Sequence, residues 1–464
     1  MSAFRFTNLT RQIEIGANCY LLETAGKRIV LDCGGHPKLE GRESLPLLDR
    51  LKELLQDNPL DAIILTHAHQ DHLGSLPVLM RHHPKAPVFL TEPTMQLADV
   101  MLHNSVNVMM KRKEQGQPDY PLFTHREATA CVKRFNPIPL HQKFTIEGER
   151  VRPSDSVDLS IQFEDAGHIL GSVAVLIESG YERLLYTGDV NFRDQSLMCG
   201  AKLPEQKVTT VVIECTRGAT PEAADFSREK EELRFVTAIQ EVFAQGGSIL
   251  MPVFALGKTQ EFLTMIHKFR KKGLLPEFPI YIGGLSTKLT EIHDRLASAS
   301  HRQHAGLDLL ESVAPFTISG RELNKFSIRP GRIYALSSGM MTENTLSNVI
   351  ANQFIPNPAH AIFFVGYADP ESPAGRLRST KKGDSIMLSA TSEPEVLRCR
   401  VETFGFSAHS SRETSVEYLQ KAAPAKIVFV HGDPDAMEWF KETMRPLLPQ
   451  TELLSAEPGV TMEL

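Results

Sequence analysis

The chain has 464 residues, of which 42% are hydrophobic and 23% are charged, and its net charge is −6 at pH 7. This length predicts two domains or one elaborated domain, and the acidic balance excludes a global attraction to nucleic acid. No window reaches the roughly 20 uninterrupted apolar residues of a membrane span, and the first residues lack the pattern of a secretory signal. We therefore expect a soluble cytoplasmic protein without a membrane segment.

Neither the cysteines nor the basic clusters identify the substrate. Six cysteines are scattered without a CxxC pair, which predicts buried, reduced thiols and no disulfide framework. Three basic clusters, at 111–113, 268–272 and 376–382, are typical of solvated surface. An enzyme that acts on nucleic acid would need such charge close to its cleft, because phosphate contacts provide most sequence-independent affinity. Composition therefore leaves the substrate open.

The N-terminal half alternates strand-like and helix-like stretches. Apolar runs predict strands at 27–32, 62–65, 159–163, 173–177 and 183–186, and polar stretches with helical periodicity predict helices at 72–82 and 94–110. This alternation predicts an α/β protein with two sheets covered by helices.

A dense group of potential metal ligands follows the second of these strands. Four of them fall within six positions, directly after the apolar run 62–65: His67, His69, Asp71 and His72. Imidazole and carboxylate groups at this density suit zinc, and manganese is chemically possible at the same positions. The alternative is a polar loop that is merely rich in histidine.

Three later strand ends carry the same kinds of side chain beside a glycine: His168, Asp189 and His431. Each alone is more often a loop histidine or a turn aspartate. However, residues at the carboxyl ends of neighbouring strands converge on one crevice, and together with the first cluster these give seven ligands. We assign three histidines to a first zinc and three residues to a second, with Asp189 as the bridge: His67, His69 and His168, then Asp71, His72 and His431. Asp32, at the end of its own strand, either caps a buried turn or orients a ligand from behind.

A second α/β unit is predicted from about residue 215. A helix is expected over 226–244, with Ser227 as its N-cap, and another over 257–270. Strands are expected at 248–252, 280–282, 332–336, 361–365, 396–404 and 426–430, with a turn-rich connector over 366–375.

The ordered ligand set resembles the metallo-β-lactamase superfamily, with Asp32, the 67–72 cluster, His168 and Asp189 in its four motif positions. Three further positions resemble the motifs A, B and C of the β-CASP nucleases within that superfamily: Glu214, His409 and His431. The stretches 252–261 and 337–341 support this resemblance. The segment 32–41 is similar to the messenger-RNA 3′-end cleavage endonucleases and their archaeal relatives.

The resemblance covers nearly the whole chain and implies its architecture and chemistry. It implies an αββα metallo-β-lactamase domain, formed by 1–214 and 386–464, with an α/β β-CASP domain inserted at 215–385. It also implies a two-zinc site between these domains that hydrolyses RNA phosphodiester bonds. A histidine at motif C goes with RNA-processing members, so single-stranded RNA is the expected partner, and a homodimer stays open.

The resemblance implies roles for individual residues as well. Asp71 would orient the nucleophile while it ligates metal, His409 would protonate the leaving oxygen or steady the phosphate, and Glu214 would hold the His409 ring. Ser338, Gly339 and Arg376 would contact the substrate, although solvated surface is the alternative for Arg376.

Two departures from the family pattern bear on substrate contacts. After motif A the family often has Ser-Thr-Tyr-Gly, whereas this chain has Cys215-Thr216-Arg217-Gly218. After motif B the family often has Thr or Ala followed by Asp, whereas this chain has Ser410-Ser411. Neither change removes a predicted ligand, but both alter the surroundings of the scissile bond. Two other functions stay open, a small-molecule metallohydrolase on the same scaffold and a non-catalytic RNA-processing subunit.

Overall fold

The computed structural model describes residues 4–56, 58–298, 300–318, 327–366, 368–389 and 393–464. Its strands, in chain order, are β1 (Arg5–Asn8), β2 (Tyr20–Thr24), β3 (Lys27–Leu31), β4 (Ala62–Ile64), β5 (Val88–Leu90), β6 (Phe135–Pro137), β7 (Lys143–Phe144), β8 (Leu159–Asp165), β9 (Val173–Ser179), β10 (Glu182–Tyr186), β11 (Thr210–Glu214), β12 (Ile249–Pro252), β13 (Ile280–Gly283), β14 (Phe316–Ile318), β15 (Ile333–Leu336), β16 (Ala361–Phe364), β17 (Ser385–Ile386), β18 (Glu395–Val396), β19 (Arg400–Thr403), β20 (Lys426–Val430), β21 (Glu452–Ser455) and β22 (Thr461–Glu463). Its helices are α1 (Leu48–Leu55), α2 (Gln70–Leu73), α3 (Leu76–His82), α4 (Glu92–Glu114), α5 (His125–Val132), α6 (Arg228–Ala244), α7 (Lys258–Lys271), α8 (Gly284–Arg295), α9 (Leu309–Val313), α10 (Leu346–Phe354), α11 (Pro373–Ser379), α12 (Arg412–Ala422) and α13 (Pro434–Leu447).

These elements form two compact units. The first unit comprises Met1–Arg193, Gly200–Glu222 and His409–Leu464, and the second comprises Asp194–Cys199 and Ala223–Ala408. The domain boundaries expected at 214 and 385 stay predictions. Among the described residues, no helix combines the length and the apolar character needed to cross a bilayer. The six cysteines are all free thiols, and five of them are buried.

The first unit contains two seven-stranded sheets that share one core. Their strand orders are β22-β1-β2-β3-β4-β5-β6 and β21-β20-β11-β10-β9-β8-β7. Phe6 and Tyr20 of the first sheet cluster with Val175 and Tyr186 of the second, so these two faces pack against each other. Helices α12 and α13 pack on the outer face of the second sheet. The predicted αββα layering is confirmed.

Parallel strands bring the candidate site residues to one edge of each sheet in this unit. Strands β3, β4, β5 and β6 run parallel in the first sheet, as do β10, β11 and β20 in the second. Parallel strands end at the same edge, and their connecting loops therefore lie side by side. Asp32 follows β3, Asp189 follows β10, Glu214 ends β11 and His431 follows β20.

The predicted helix at 72–82 is two helices in the structure. Helix α2 ends at Leu73, and α3 begins at Leu76 with Pro77 in its first turn. Proline has no backbone N–H, so Pro77 cannot donate to the carbonyl of Leu73 and the helix has to restart. This break lets the short helix α2 present Asp71 and His72 independently of α3.

The second unit contains a six-stranded parallel sheet with helices on both faces and a two-stranded antiparallel sheet, β17-β18. The strand order is β14-β13-β15-β12-β16-β19, and its neighbouring strands pair in parallel. Helices α6, α7 and α9 cover one face through a cluster that includes Phe235 and Phe262. Helices α10 and α11 cover the other face through Phe354 and Leu377. The predicted α/β class of this region is confirmed.

Two local predictions in this unit were wrong in detail. The expected connector 366–375 contains the start of helix α11, because Ser372 Oγ accepts from Gly375 N at 3.1 Å and Pro373 suits the first turn. The expected strand 396–404 is interrupted between β18 and β19. There, Arg398 N and Cys399 N both donate to Ile355 O, so these groups are not available for strand pairing.

Candidate metal centre

The first group of candidate ligands comprises His67, His69, His168 and Asp189, whose donor atoms all lie within 4.8 Å of one another. His69 Nδ1 lies 3.2 Å from His67 Nε2 and 3.1 Å from His168 Nε2. Asp189 Oδ2 lies 3.5 Å from the Nε2 atoms of both His67 and His168. Three imidazole nitrogens and one carboxylate oxygen therefore converge on a single point.

The second group comprises Asp71, His72 and His431. His431 Nε2 lies 3.4 Å from Asp71 Oδ2. The other oxygen of Asp189, Oδ1, lies 3.3 Å from His72 Nε2 and 2.9 Å from His431 Nδ1. Asp189 thus turns one oxygen toward each group. The structure brings all seven predicted ligands together, and their assignment to individual metal ions stays a prediction.

Two unusual backbone conformations place Asp189 and His431. Gly188 has φ +53°, and a Cβ added there would lie 3.0 Å from Thr66 Cβ, so glycine is the residue that fits. His431 has φ +48°, which strains a non-glycine residue by about 1 kcal/mol. Cys215 N donates to His431 O at 3.2 Å and helps to hold this conformation. The turn directs the His431 ring back toward Asp71 and Asp189.

Asp32 lies behind the ligands and is fully buried. Its Oδ1 accepts from Thr66 N at 2.8 Å, and its Oδ2 accepts from Tyr186 Oη at 2.8 Å. His72 Nδ1 lies 2.8 Å from the same Oδ2. A carboxylate at this distance favours the proton on Nδ1, which leaves Nε2 of His72 as the lone-pair donor toward Asp189 and Asp71. Asp32 therefore stabilises the turn through Thr66 and also orients the His72 ring. Both roles that the sequence left open, a turn cap and a residue that orients a ligand, apply to it.

The sequence analysis missed several side chains that support the ligands. Tyr186 and Thr66 hold Asp32, and Asn18 Nδ2 lies 3.0 Å from His72 Nε2. Tyr20 Oη donates to Asn18 Oδ1 at 2.8 Å and thereby fixes that amide. Thr66 directly precedes His67, but no spacing rule connects the other three to the ligands. Isolated tyrosines within apolar strands are ordinary core residues in sequence terms.

A glutamate–histidine pair lies beside the first ligand group. Glu214 Oε1 accepts from Val190 N at 2.9 Å, and His409 Nδ1 lies 2.9 Å from the same oxygen. The other ring nitrogen, His409 Nε2, lies 3.9 Å from Asp189 Oδ2, and the ring centroids of His409 and His168 are 4.6 Å apart. The ring therefore has one nitrogen on Glu214 and the other toward the ligands.

The pKa pattern and the hydrogen bonds indicate whether these residues fit a metal. Burial lowers the pKa of both His67 and His69 and favours the neutral imidazoles that ligate metals. Burial opposes protonation of His431, yet the Asp189 and Asp71 carboxylates raise its pKa to about 10. Within the described residues, Asp189 Oδ1 and His431 Nε2 are buried, and their close contacts with His431 Nδ1 and Asp71 Oδ2 do not have hydrogen-bond geometry. Buried polar atoms left in this state are expected where a cation completes the site, so the donor set fits a metal.

Desolvation lowers the pKa of His67, whereas the pKa of His409 is raised. Desolvation opposes protonation, but the Glu214 and Asp189 carboxylates outweigh it and raise the pKa of His409 above its usual range. A raised pKa favours the protonated ring, which can donate a proton from Nε2. The arrangement is therefore chemically suited to a general acid.

The three predicted substrate-binding residues lie in the second unit. Gly339 lines a crevice at the carboxyl ends of β12, β15 and β16, together with Phe254, Lys258 and Gly366. Ser338 Oγ accepts from Thr342 N at 3.0 Å, and the exposed Arg376 donates from Nη1 to Glu371 O at 2.8 Å. None of the three belongs to either ligand group. Their contact with substrate stays a prediction.

Comparison with known families gives three successive matches along the chain. Residues 14–237 match the metallo-beta-lactamase superfamily, 259–377 match the Beta-Casp domain, and 395–452 match the Zn-dependent metallo-hydrolase RNA specificity domain. His409 and His431 lie within the last of these matches.

Individual relatives span almost all of this chain. It is 28% identical over 449 residues to Cleavage and polyadenylation specificity factor 73 of Drosophila melanogaster. The aligned region covers 92% of this chain and 60% of that protein. It is 30% identical over 450 residues to Transcription termination factor FttA of Methanocaldococcus jannaschii, covering 94% and 68%. It is 26% identical over 455 residues to Endoribonuclease YSH1 of Candida glabrata, covering 95% and 56%. The chain thus spans a little over half to two thirds of the length of these relatives.

Proposed function

This chain belongs to the β-CASP family of the metallo-β-lactamase superfamily, and we propose that it is a zinc-dependent ribonuclease that hydrolyses RNA phosphodiester bonds. The observation that carries this proposal is the convergence of seven imidazole and carboxylate ligands with the Glu214–His409 pair beside them. The ligands serve any metallohydrolase of the superfamily. The added pair is what a displacement with a poor alkoxide leaving group needs.

The proposed metal content is two divalent ions, zinc in the first instance and manganese as the alternative. His67, His69 and His168 would hold one ion, Asp71, His72 and His431 would hold the other, and Asp189 would contact both. When bound, such a pair supplies Lewis acidity, lowers the pKa of water to about 7 and neutralises charge on a phosphate. Asp32 would keep His72 in the tautomer that ligates.

The side chains divide the proton transfers between them. Asp71 Oδ2 would accept a hydrogen bond from the attacking water and orient it. His409 would donate the proton on Nε2 to the oxygen that leaves phosphorus. Glu214 keeps the other ring nitrogen protonated and stabilises the positive charge on the ring before transfer. These roles require His409 to be protonated in the resting enzyme, in agreement with its raised pKa.

RNA is the proposed substrate for reasons independent of the metal ligands. The match to the RNA specificity domain covers the segment that carries His409 and His431, and the names of the relatives concern RNA cleavage or transcript termination. We propose a single strand, because its phosphates and bases are accessible to loop residues such as Ser338, Gly339 and Arg376. We retain 215–385 as the inserted β-CASP domain.

Two other functions are less well supported. A small-molecule hydrolase, such as a lactonase or thioesterase, has no evident use for the Glu214–His409 pair. A non-catalytic subunit has no need of an intact ligand set, yet all seven predicted ligands are present and converge here. Both alternatives make different predictions for purified protein.

The experiment is a substrate panel with matched variants. Zinc-loaded protein is given end-labelled single-stranded RNA, single-stranded DNA of the same sequence and a chromogenic ester. We expect RNA cleavage that falls at least 100-fold in His409→Ala and in Asp189→Ala, but not in the controls His82→Ala and Asp158→Ala, which change exposed residues. Undiminished RNA cleavage in both site variants with zinc still bound would overturn the mechanism. Products from 5′- and 3′-labelled RNA would show whether cleavage is internal or terminal.

A further inference from the structure

Three arginines of the first unit form a cluster around two glutamates. Arg193 Nη1 lies 2.5 Å from Glu222 Oε2, and Arg412 Nε lies 3.2 Å from Glu413 Oε1. Glu222 N lies 3.4 Å from the same Glu413 oxygen, which joins the two ion pairs. Arg217 Nη1 lies 3.9 Å from Glu222 Oε1. Within this cluster three cations face two anions, and Glu214 is a further carboxylate whose charge acts on Arg217.

Arg217 has the longest ion pair of the three arginines. The side chain of Arg217 is 21% exposed, so its guanidinium is largely removed from water, but its ion pair is more than 1 Å longer than that of Arg193 with the same glutamate. Burial lowers the pKa of Arg217, and the nearby carboxylates compensate only in part. A partly desolvated cation with a distant counterion is stabilised by any further anion that reaches it.

The three arginines lie on three separate segments, and each segment also carries a residue of the proposed site a few positions earlier. Arg193, Arg217 and Arg412 follow Asp189, Glu214 and His409 by four, three and three positions. Hydrogen bonds join two of these segments directly, since Ser410 N donates to Val190 O at 2.8 Å. Thr216, which precedes Arg217, has its Oγ1 3.3 Å from His431 Nδ1.

Close packing fixes the backbone on both sides of Arg217. A Cβ added at Gly218 would lie 2.6 Å from Ala436 O, and one added at Gly432 would lie 2.6 Å from Cys215 Cβ. Arg412 Nη1 donates to Gly218 O at 3.2 Å, and its guanidinium stacks on the Trp439 ring at 4.1 Å. The backbone that carries Arg217 therefore lies in a closely packed loop, and its neighbour Thr216 lies against His431 of the proposed centre.

We propose that Arg217, supported by Arg193 and Arg412, binds a phosphodiester group of the substrate strand adjacent to the one that is hydrolysed. This inference rests on the proposed ribonuclease function and names a contact within it. A phosphodiester carries a negative charge that a partly desolvated arginine with a distant counterion can bind, and guanidinium presents paired donors that suit phosphate oxygens. The tyrosine often found at this position in the family offers a ring and a hydroxyl, so the charge contact is a property of this chain.

The first test compares Arg217→Gln and Arg217→Lys with the control Arg152→Gln, which removes an exposed arginine of the same unit. Cleavage by the zinc-loaded enzyme should show a KM raised roughly tenfold or more in Arg217→Gln, with kcat little changed, and a partial recovery in Arg217→Lys. The slope of log(kcat/KM) against log salt should become shallower by about 0.7, as expected for one phosphate contact on a single strand. Fluorescence anisotropy of RNA binding should show the same loss and the same slope change.

The second test locates the phosphate, and its first arm uses only the wild-type enzyme. RNAs carrying one uncharged methylphosphonate at successive positions are cleaved by the wild-type enzyme and by Arg217→Gln. One position next to the scissile bond should weaken wild-type cleavage about tenfold and have no further effect in Arg217→Gln.

The outcomes separate this inference from the function on which it rests. A wild-type enzyme that cleaves RNA but is insensitive to every adjacent methylphosphonate would overturn the Arg217 contact and leave the ribonuclease function standing. Equal KM and equal salt slopes in wild type and Arg217→Gln would do the same. Wild-type protein that neither binds nor cleaves RNA would overturn both.

Discussion

Glu214 and His409 face each other at 2.9 Å across 195 positions of sequence, and the pair directs Nδ1 of the ring to Glu214 and Nε2 toward the ligand groups. Glu214 ends strand β11, and His409 lies at the junction where the chain re-enters the first unit. A carboxylate behind an imidazole both selects the tautomer and raises the pKa of the ring.

Glu214→Gln should therefore shift the pH dependence of cleavage. His409 acts as an acid in the proposed mechanism, so activity is lost as the pH rises through its pKa. Removal of the carboxylate charge lowers that pKa and moves the basic limb of the kcat profile to lower pH, with kcat at neutral pH reduced at least tenfold. Gln retains an oxygen for Val190 N, so the fold contact is kept. The control is Glu205→Gln, and an unshifted basic limb in Glu214→Gln would remove His409 from the role of acid.

Asp32→Asn should weaken metal binding without disrupting the ligand geometry. Asn keeps the shape of the side chain, but its amide cannot accept from His72 Nδ1 and Tyr186 Oη as a carboxylate does. Loss of such a partner typically lowers metal affinity 10- to 100-fold. Competition with a chromophoric zinc chelator measures this affinity, with Asp158→Asn as the control. An affinity equal to that of wild type would show that Asp32 serves only the turn.

Gly188→Ala should destabilise the protein more than Gly180→Ala. Both glycines have positive φ, +53° and +61°, so alanine is strained at either by about 1 kcal/mol. A Cβ at Gly188 would also lie 3.0 Å from Thr66, whereas one at Gly180 meets nothing within 4 Å. We expect the free energy of unfolding in urea to fall further in Gly188→Ala, together with its zinc content. Equal losses in the two variants would show that close packing against Thr66 does not matter.

His293 should make the second unit sensitive to acid. Burial lowers the pKa of His293 from 6.5 to about 4, and its Nδ1 donates to Leu289 O at 2.8 Å. The folded state thus disfavours the proton, while the unfolded chain binds it below pH 6.5. The stability is intact above that pH and is lost as the pH falls toward 4, by about 3 kcal/mol in total.

His293→Gln removes this titration and keeps a donor for Leu289 O. The difference in unfolding free energy between the variant and the wild type should therefore move in favour of the variant between pH 6.5 and 4. Urea unfolding at several pH values measures it, with the exposed His82→Gln as the control. A difference that stays constant with pH would mean that His293 is already protonated in the folded state or is accessible to water.

The seven ligands could be found from sequence because four of them form one dense cluster after strand β4, and the other three each follow a strand and lie beside a glycine. Their supports could not be found in this way. Asn18, Tyr20 and Tyr186 contact the site through the fold alone, and each sits in an apolar segment that is ordinary core in composition. Sequence patterns report local periodicity, whereas these contacts depend on which strands pair.

The limits of the fold prediction have similar causes. Residues 72–82 were expected to form one helix, but Pro77 lacks an N–H and Ser75 N donates to Cys33 O instead of to the carbonyl of Asp71. The segment Asp194–Cys199 belongs to the second compact unit although the residues on either side of it belong to the first. Ser196 N and Leu197 N both donate at 2.8 Å to the carboxylate of Glu261, some 65 positions away, and no local pattern announces such a contact.

We propose that side chains distant in sequence hold two divalent ions, and that this chain needs both ions to hydrolyse RNA. The most direct measurement is a titration of zinc into metal-stripped protein, followed through both bound zinc and the cleavage rate of labelled RNA. We predict that cleavage is absent without metal and reaches its plateau at two bound ions per chain in wild type, and that Asp189→Asn fails to reach it. Full cleavage by the stripped protein, or two tightly bound ions with no cleavage of RNA, would contradict the account.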